Sequence, residues 1–182
     1  MKAIFPILAL FIFAVQARAQ SNGASANQNV VLQLSNAIAL SFQSTGTATG
    51  SSVYLNFNSV SNFINGVASG AQQLKVQSNK QYNIAVSTAS NYFTYSGTAT
   101  PAPVMPVNGV LNLMVASNNT GGTIPTQFNG SYAGINSTPQ LILSNALNNN
   151  NATFAVQYQA IPGTNYPAGA YAANVIYTAT QP

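Results

Sequence analysis

Lys75 and Lys80 are the only charged side chains downstream of Arg18, so any chemistry this chain does must begin with them. A Ser–Lys hydrolytic dyad uses the S-x-x-K spacing, but Gln72 and Gln77 stand where the serines should be. A G-x-S-x-G nucleophile turn and a phosphate-binding loop are missing too. A Lys–Asn isopeptide crosslink needs a neighbouring carboxyl group to shuttle protons, and the chain has no Asp or Glu. Lys75 and Lys80 therefore read as solvated charges at a strand edge or turn, where they discourage wrong pairing.

The rest of the inventory is as narrow. Four Lys/Arg make up all of the formal charge, +4, and His, Cys and Trp do not occur. Only 2% of residues are charged, against about 25% in average soluble domains. Paired carboxylates, His-based triads, Cys nucleophiles and zinc sites lack the side chains that build them. Calcium and magnesium sites would be left with carbonyls and amides alone. The composition thus points away from catalysis, and no metal or cofactor is expected. Two lysines make no basic patch, so nucleic acid is not an expected partner.

Three polar patterns remain, each with a plainer explanation. N-x-S/T sequons at Asn118, Asn129, Asn136 and Asn151 follow from the abundance of Asn, Ser and Thr. The Thr-x-Thr pieces at 45–49, 98–100 and 178–180 are too irregular for a hydroxyl array and suit ordinary strand surfaces. Tyr82, Tyr158, Tyr171 and Tyr177 could stack on sugars, but they fall on strand patterns where core or cross-strand packing accounts for them.

The elements that would position these residues are β-strands. Before them, Lys2, the apolar run Ala3 to Val15 and the small-x-small step Ala17-Arg18-Ala19 have the anatomy of a secretory signal peptide, too short for a membrane span. Residues 1–19 are expected to be removed, leaving a secreted chain without a second hydrophobic span or a C-terminal anchor tail. Its near-neutral surface lacks the charge repulsion that keeps proteins apart. Little titrates between about pH 4 and 9 except the terminal amine, so fold and association should barely respond to pH or salt.

Period-two alternation recurs in the body, with no long stretch of period 3.6. The longest run is Val30 to Phe42, where Val30, Leu32, Leu34, Asn36, Ile38, Leu40 and Phe42 share one face. As a single strand it would be roughly 40 Å long, far beyond the usual 5–6 residues. Either it bends near Ser35-Asn36 to serve two sheets, or its first half reaches beyond its own domain. Strands are also predicted around Val53-Leu55-Phe57, Leu74-Val76, Tyr82-Ile84-Val86, Leu111-Leu113-Val115, Leu141–Leu143, Phe154-Val156-Tyr158 and Tyr171-Val175-Tyr177. In that scheme 154–158 is the penultimate strand and 171–177 the last. Ser78-Asn79-Lys80 is the predicted turn between two of them. Asn-Gly pairs begin at Asn22, Asn65, Asn108 and Asn129, and Asn148–Asn151 is predicted as a loop. No fixed-period repeat occurs, so one domain is expected over 36–182, preceded by an arm over 20–35.

Val30, Leu32 and Leu34 are the candidate functional residues. A long apolar-faced arm leaves a hydrophobic stripe and an unpaired strand edge. Inserting it into a neighbour's groove satisfies both, and a head-to-tail transfer that does not close builds a filament. Pairing of residues 30–34 within their own sandwich is the alternative.

Several stretches resemble secreted surface proteins of Bacteroidota: Phe57-Asn58-Ser59-Val60-Ser61 with Ile64-Asn65-Gly66-Val67, then Gln73–Ser78 with Tyr82–Val86. The ending, Ala168-Gly169-Ala170-Tyr171 and Asn174–Gln181, resembles them most. With Tyr158 before Ile161-Pro162-Gly163 and the step Pro167-Ala168-Gly169, it is also similar to spore coat protein U-like and Csu-type pilin domains. This chain departs from them in having no cysteine pair. The resemblance implies an immunoglobulin-like sandwich, and for the pilins polymerisation by donor-strand exchange. The expectation is an all-β, single antiparallel immunoglobulin-like β-sandwich, secreted to a bacterial cell surface. It would be a structural subunit that self-associates into a homopolymer through its arm. The alternative is a monomeric binding module, with carbohydrate the possible partner.

Overall fold

The long alternating run settles only in its second half. In the computed structural model, which describes residues 28–43 and 52–182, strand β1 spans Ile38–Gln43 and residues 28–37 lie outside any strand. The strand candidate over 30–42 therefore forms a strand only over its last five residues, extended by Gln43. The strand-bearing unit covers Ser35–Pro182, and the described residues before it, 28–34, fall outside it. The predicted signal peptide, Asn22-Gly23 and the threonines at 45–49 fall outside the described residues.

After β1 the chain forms a short helix, α1 (Val60–Asn65), and then β2 (Val67–Ala68), β3 (Gln72–Ser78), β4 (Tyr82–Thr88) and β5 (Thr94–Ser96). Next come β6 (Leu111–Asn118), a 3-10 turn at Thr126–Phe128, β7 (Ala133–Gly134) and β8 (Gln140–Ala146). The last are β9 (Asn149–Ala160), β10 (Ala170–Ala172) and β11 (Val175–Thr180). One sheet runs β1-β3-β9-β6-β7, with β2 also on β9; a second runs β11-β4-β8; β10 and β5 make a separate ribbon. All of these strand pairings are antiparallel. The fold is an all-β antiparallel sandwich.

Alternation assigns the core as the sequence suggests. Leu74 and Val76 on β3, Tyr82, Ile84 and Val86 on β4, Leu111, Leu113 and Val115 on β6, and Phe154, Val156 and Tyr158 on β9 are all buried in one cluster. Each such large side chain withdrawn from water contributes roughly 1.5–3 kcal/mol. Because a strand presents alternate residues to opposite faces, one inward row per strand is enough to fill the space between the sheets.

Four predicted elements come out differently. Val53, Leu55 and Phe57 are half-buried against the core while Tyr54 is 81% exposed, yet 53–57 is not a strand. Alternation follows from extended backbone alone and needs no ladder partner. The predicted last strand is split in two: Tyr171 pairs with Tyr95 in the ribbon, whereas Val175 and Tyr177 pair with β4. For that reason β9 is not penultimate. The asparagine run is not a loop from end to end, since Asn149–Asn151 opens β9 opposite Ser78. Lys75 is not an edge charge: β3 lies between β1 and β9, where Lys75 is flanked by Ser41 and Thr153.

Helix α1 begins at a capping box, with the Ser59 hydroxyl accepting from the Asn62 amide and the Asn62 side chain accepting from the Ser59 amide at 3.1 Å. It ends at Gly66, whose φ of +81° suits glycine and whose N–H donates to the Asn62 carbonyl at 2.8 Å.

Candidate functional site

The arm residues singled out from sequence carry apolar surface in the open. Val30, Leu32 and Leu34 are 74%, 82% and 91% exposed. Val31, on the opposite face of the sequence alternation, is 71% exposed, so no side of this segment is buried. Exposing three large aliphatic side chains in a row forgoes several kcal/mol of burial.

Just after them the chain is fastened by one amide side chain. Asn79, in the turn after β3, donates from Nδ2 to the Ser35 carbonyl at 2.8 Å and accepts at Oδ1 from the Ala37 N–H at 2.9 Å. Its own N–H donates to the Ala37 carbonyl at 3.2 Å. Gln181, just beyond β11, sends its Nε2 to the Ala37 carbonyl, the Ser78 hydroxyl and the Asn79 side-chain oxygen at 3.0, 2.8 and 3.2 Å. Neither Asn79 nor Gln181 stands out in the sequence, because their partners are 42 and 144 residues away. Beside this fastening is an open cleft of about 530 Å³ bordered by Ile38, Gln77, Asn79 and Asn148–Asn150. It has amides and no charged side chain.

The two lysines do not meet. Lys75 sits half-buried on the outer face of β3, and Lys80 is exposed in the turn. The Lys80 N–H donates to the Ser78 hydroxyl, which donates in turn to the Lys80 carbonyl at 2.6 Å.

The four tyrosines noted in the sequence all lie on strands, in different settings. The hydroxyls of Tyr158 and Tyr177 are 2.6 Å apart. The Tyr177 ring packs on Phe42 and Phe154 at 5.9 and 6.5 Å. Burial pushes the Tyr158 phenol up to about 12, with the bond to Tyr177 pulling slightly the other way. Burial, followed by Tyr158 itself, holds Tyr177 well above the ordinary phenol value. Tyr82 is fully buried, and its hydroxyl has no partner among the described residues; desolvation raises it too. Tyr171 instead packs at a tilt against Tyr95 across the β5–β10 ribbon, with centroids 5.0 Å apart, and edge-on against Tyr166 at 6.3 Å.

The sequons divide as well. Asn118 spends its amide on its own turn, donating to the Gly122 carbonyl at 2.8 Å and accepting from the Thr120 N–H and hydroxyl at 2.9 and 2.6 Å. Asn136 accepts from the Thr138 N–H. Asn129 and Asn151 are exposed. Among the described residues no three His, Cys, Asp or Glu gather into a metal-holding group, and no helix is long and apolar enough to cross a membrane.

No protein-family model matches the chain, and no curated protein matches it. Among solved structures it is similar to a family 123 glycoside hydrolase from Clostridium perfringens, at 14% identity over 79% of this chain and a TM-score of 0.36. The match spans only 24% of that enzyme's chain. A likeness this slight carries no argument about activity.

Proposed function

We propose that this chain is a structural subunit of a cell-surface filament or coat, secreted after loss of residues 1–19. In this reading it performs no catalysis. Subunits assemble by donor-strand addition, with Val30, Leu32 and Leu34 of one copy seated on the next. The observation that carries the reading is the exposure of those three side chains at 74%, 82% and 91% outside any strand. A neighbour's groove removes that apolar surface from water and gives the unpaired backbone a ladder. Strands β1 and β11 stand at sheet edges, and each supplies backbone donors and acceptors to an incoming strand. Identical subunits joined head to tail without closure extend into a fibre. The resemblance to Csu-type pilin domains implies the same kind of assembly.

The test is negative-stain electron microscopy of protein spanning residues 20–182 beside protein starting at Asn36. Filaments or chains from the longer protein and single particles from the shorter are expected. Filaments from both would move the contact away from the arm. Stable monomers from both, at high concentration and after prolonged incubation, would overturn the reading.

A further inference from the structure

A second cleft, lined by alanines together with a few hydroxyl and amide side chains, takes in no residue of the arm. Where the chain passes from β4 to β5, opposite the step from β10 to β11, it makes a local widening. The Ala89 N–H donates to the Asn174 carbonyl at 2.9 Å, and Thr94 pairs with Ala172. Between those two ties, four residues (90–93) face one, Ala173. The surplus bows outward and encloses a cleft of about 280 Å³ with small residues, Ala172 and Ala173, along one wall.

The bow is held in place. The Phe93 N–H donates to the Met105 carbonyl and the Val107 N–H to the Asn91 carbonyl, at 2.9 and 2.8 Å. Phe93 packs toward the core, which turns its neighbour Tyr92 outward, 54% exposed. The Ser90 hydroxyl accepts from the Tyr92 N–H at 3.1 Å, and the Ser137 hydroxyl donates to the Asn91 side chain at 2.6 Å. A backbone held in this way presents the Tyr92 ring from a fixed point, so less order has to be imposed when something stacks on it.

Tyr92, Thr94 and Asn174 line the cleft, and their side chains make no hydrogen bond to any described residue. Together they offer both donors and acceptors, and no charged side chain lines the cleft. An apolar ligand would leave these groups unpaired, and an ionic one would find no counter-charge. A neutral polyhydroxylated ring has apolar C–H faces for Tyr92 and hydroxyls for Thr94 and Asn174. The volume lies just under the roughly 300–1,000 Å³ of sites that enclose drug-sized ligands, which suits one ring with its neighbours left in solvent.

We propose that this cleft is a binding site for a neutral sugar ring, with Tyr92 as the stacking platform and Thr94 and Asn174 as the hydrogen-bonding groups. The site is independent of the arm, so a filament subunit or a monomer can carry it equally.

The experiment is a titration of the Leu32→Lys variant of residues 20–182, whose subunits stay single whether or not the arm drives assembly, followed by amide chemical shifts. The probes are the neutral methyl glycosides of glucose, galactose, mannose and N-acetylglucosamine, each taken to roughly 50 mM because a single exposed ring binds at millimolar strength. At least one should give saturable shifts confined to residues 89–94 and 172–174. Tyr92→Ala should weaken it at least about fivefold, while Tyr92→Phe keeps the stack and most of the affinity. Tyr54→Ala, which removes a still more open ring elsewhere, should change nothing. Should Tyr92→Ala unfold, Asn174→Ala gives the second reading, again with weaker binding. No saturable shift at these residues with any probe, or binding unaffected by both variants, would overturn the site. Tighter binding of methyl glucuronide than of every neutral probe would overturn the neutral class.

Discussion

At the scale of single residues, the molecule's response to pH depends on tyrosine. No side chain of the expected secreted chain titrates in the carboxylate or imidazole range, so stability should be level from about pH 4 to 9. Tyr158, Tyr177 and Tyr82 hold their protons more tightly folded than unfolded. A phenol raised in the folded state contributes stability that is complete below its unfolded value, near 10, and is lost as pH climbs through the folded value. Thermal unfolding midpoints should therefore hold constant and then fall between pH 10 and about 12, with tyrosinate absorbance rising in the same window. A decline starting below pH 9 would mean that another group titrates with folding. Tyr177→Phe leaves the Tyr158 hydroxyl buried without its partner and should cost about 1–3 kcal/mol. Tyr158→Phe with Tyr177→Phe removes both and should recover most of that, a contrast that urea titrations can resolve. Tyr82→Phe, which deletes a buried hydroxyl lacking a partner, should hold or raise stability.

At the scale of elements, a tight constraint lies where α1 meets the end of β9. A Cβ on Gly66 would come within 2.6 Å of Ile161 Cγ1 and 2.8 Å of the Ala160 carbonyl, at a φ of +81°. Gly66→Ala should cost more than about 1 kcal/mol, since strain and close approach add to the backbone term; an unchanged urea midpoint would contradict this. The start of β1 should be similarly sensitive, because Asn79 and Gln181 fasten residues 35–37. Asn79→Ala should speed amide exchange over 37–40 well before it affects β9. Periodicity made most of the sandwich legible: β3, β4, β6 and β9 each show an inward row of Leu, Ile, Val, Phe or Tyr in the sequence. It also marked Val30, Leu32 and Leu34. It could not distinguish a paired strand from an unpaired extended segment, so Val53–Phe57 and the half-run before Ile38 read like strands. Two- and three-residue elements such as β2, β5, β7 and β10 are too short to repeat a pattern. The fastening at Asn79 and the frame around Tyr92 consist of hydrogen bonds between residues far apart in sequence, which no local pattern encodes.

At the scale of the whole molecule, the near absence of charge makes a claim about association. Electrostatically assembled polymers loosen with salt and shift with pH, because their contacts are screened or titrated. In the proposed assembly, an arm seated through Val30, Leu32 and Leu34 would have neither liability, and burial of apolar area is strengthened, if anything, by excluded salts such as sulfate. Polymer length in sedimentation should therefore stay constant between pH 4 and 9 and from low to molar sodium chloride. Leu32→Lys separates the two kinds of contact. A lysine carried into a dry interface has no carboxylate side chain to meet anywhere in this chain, and an unpaired buried charge costs about 3–5 kcal/mol. Assembly should collapse to single subunits whose thermal stability is unchanged, because residue 32 is 82% exposed in the isolated chain. Gln127→Lys, on an exposed position of the 3-10 turn away from β1 and β11, adds the same charge elsewhere and separates loss of the arm contact from general repulsion. If both variants disperse the polymer equally, charge itself governs association and the arm does not.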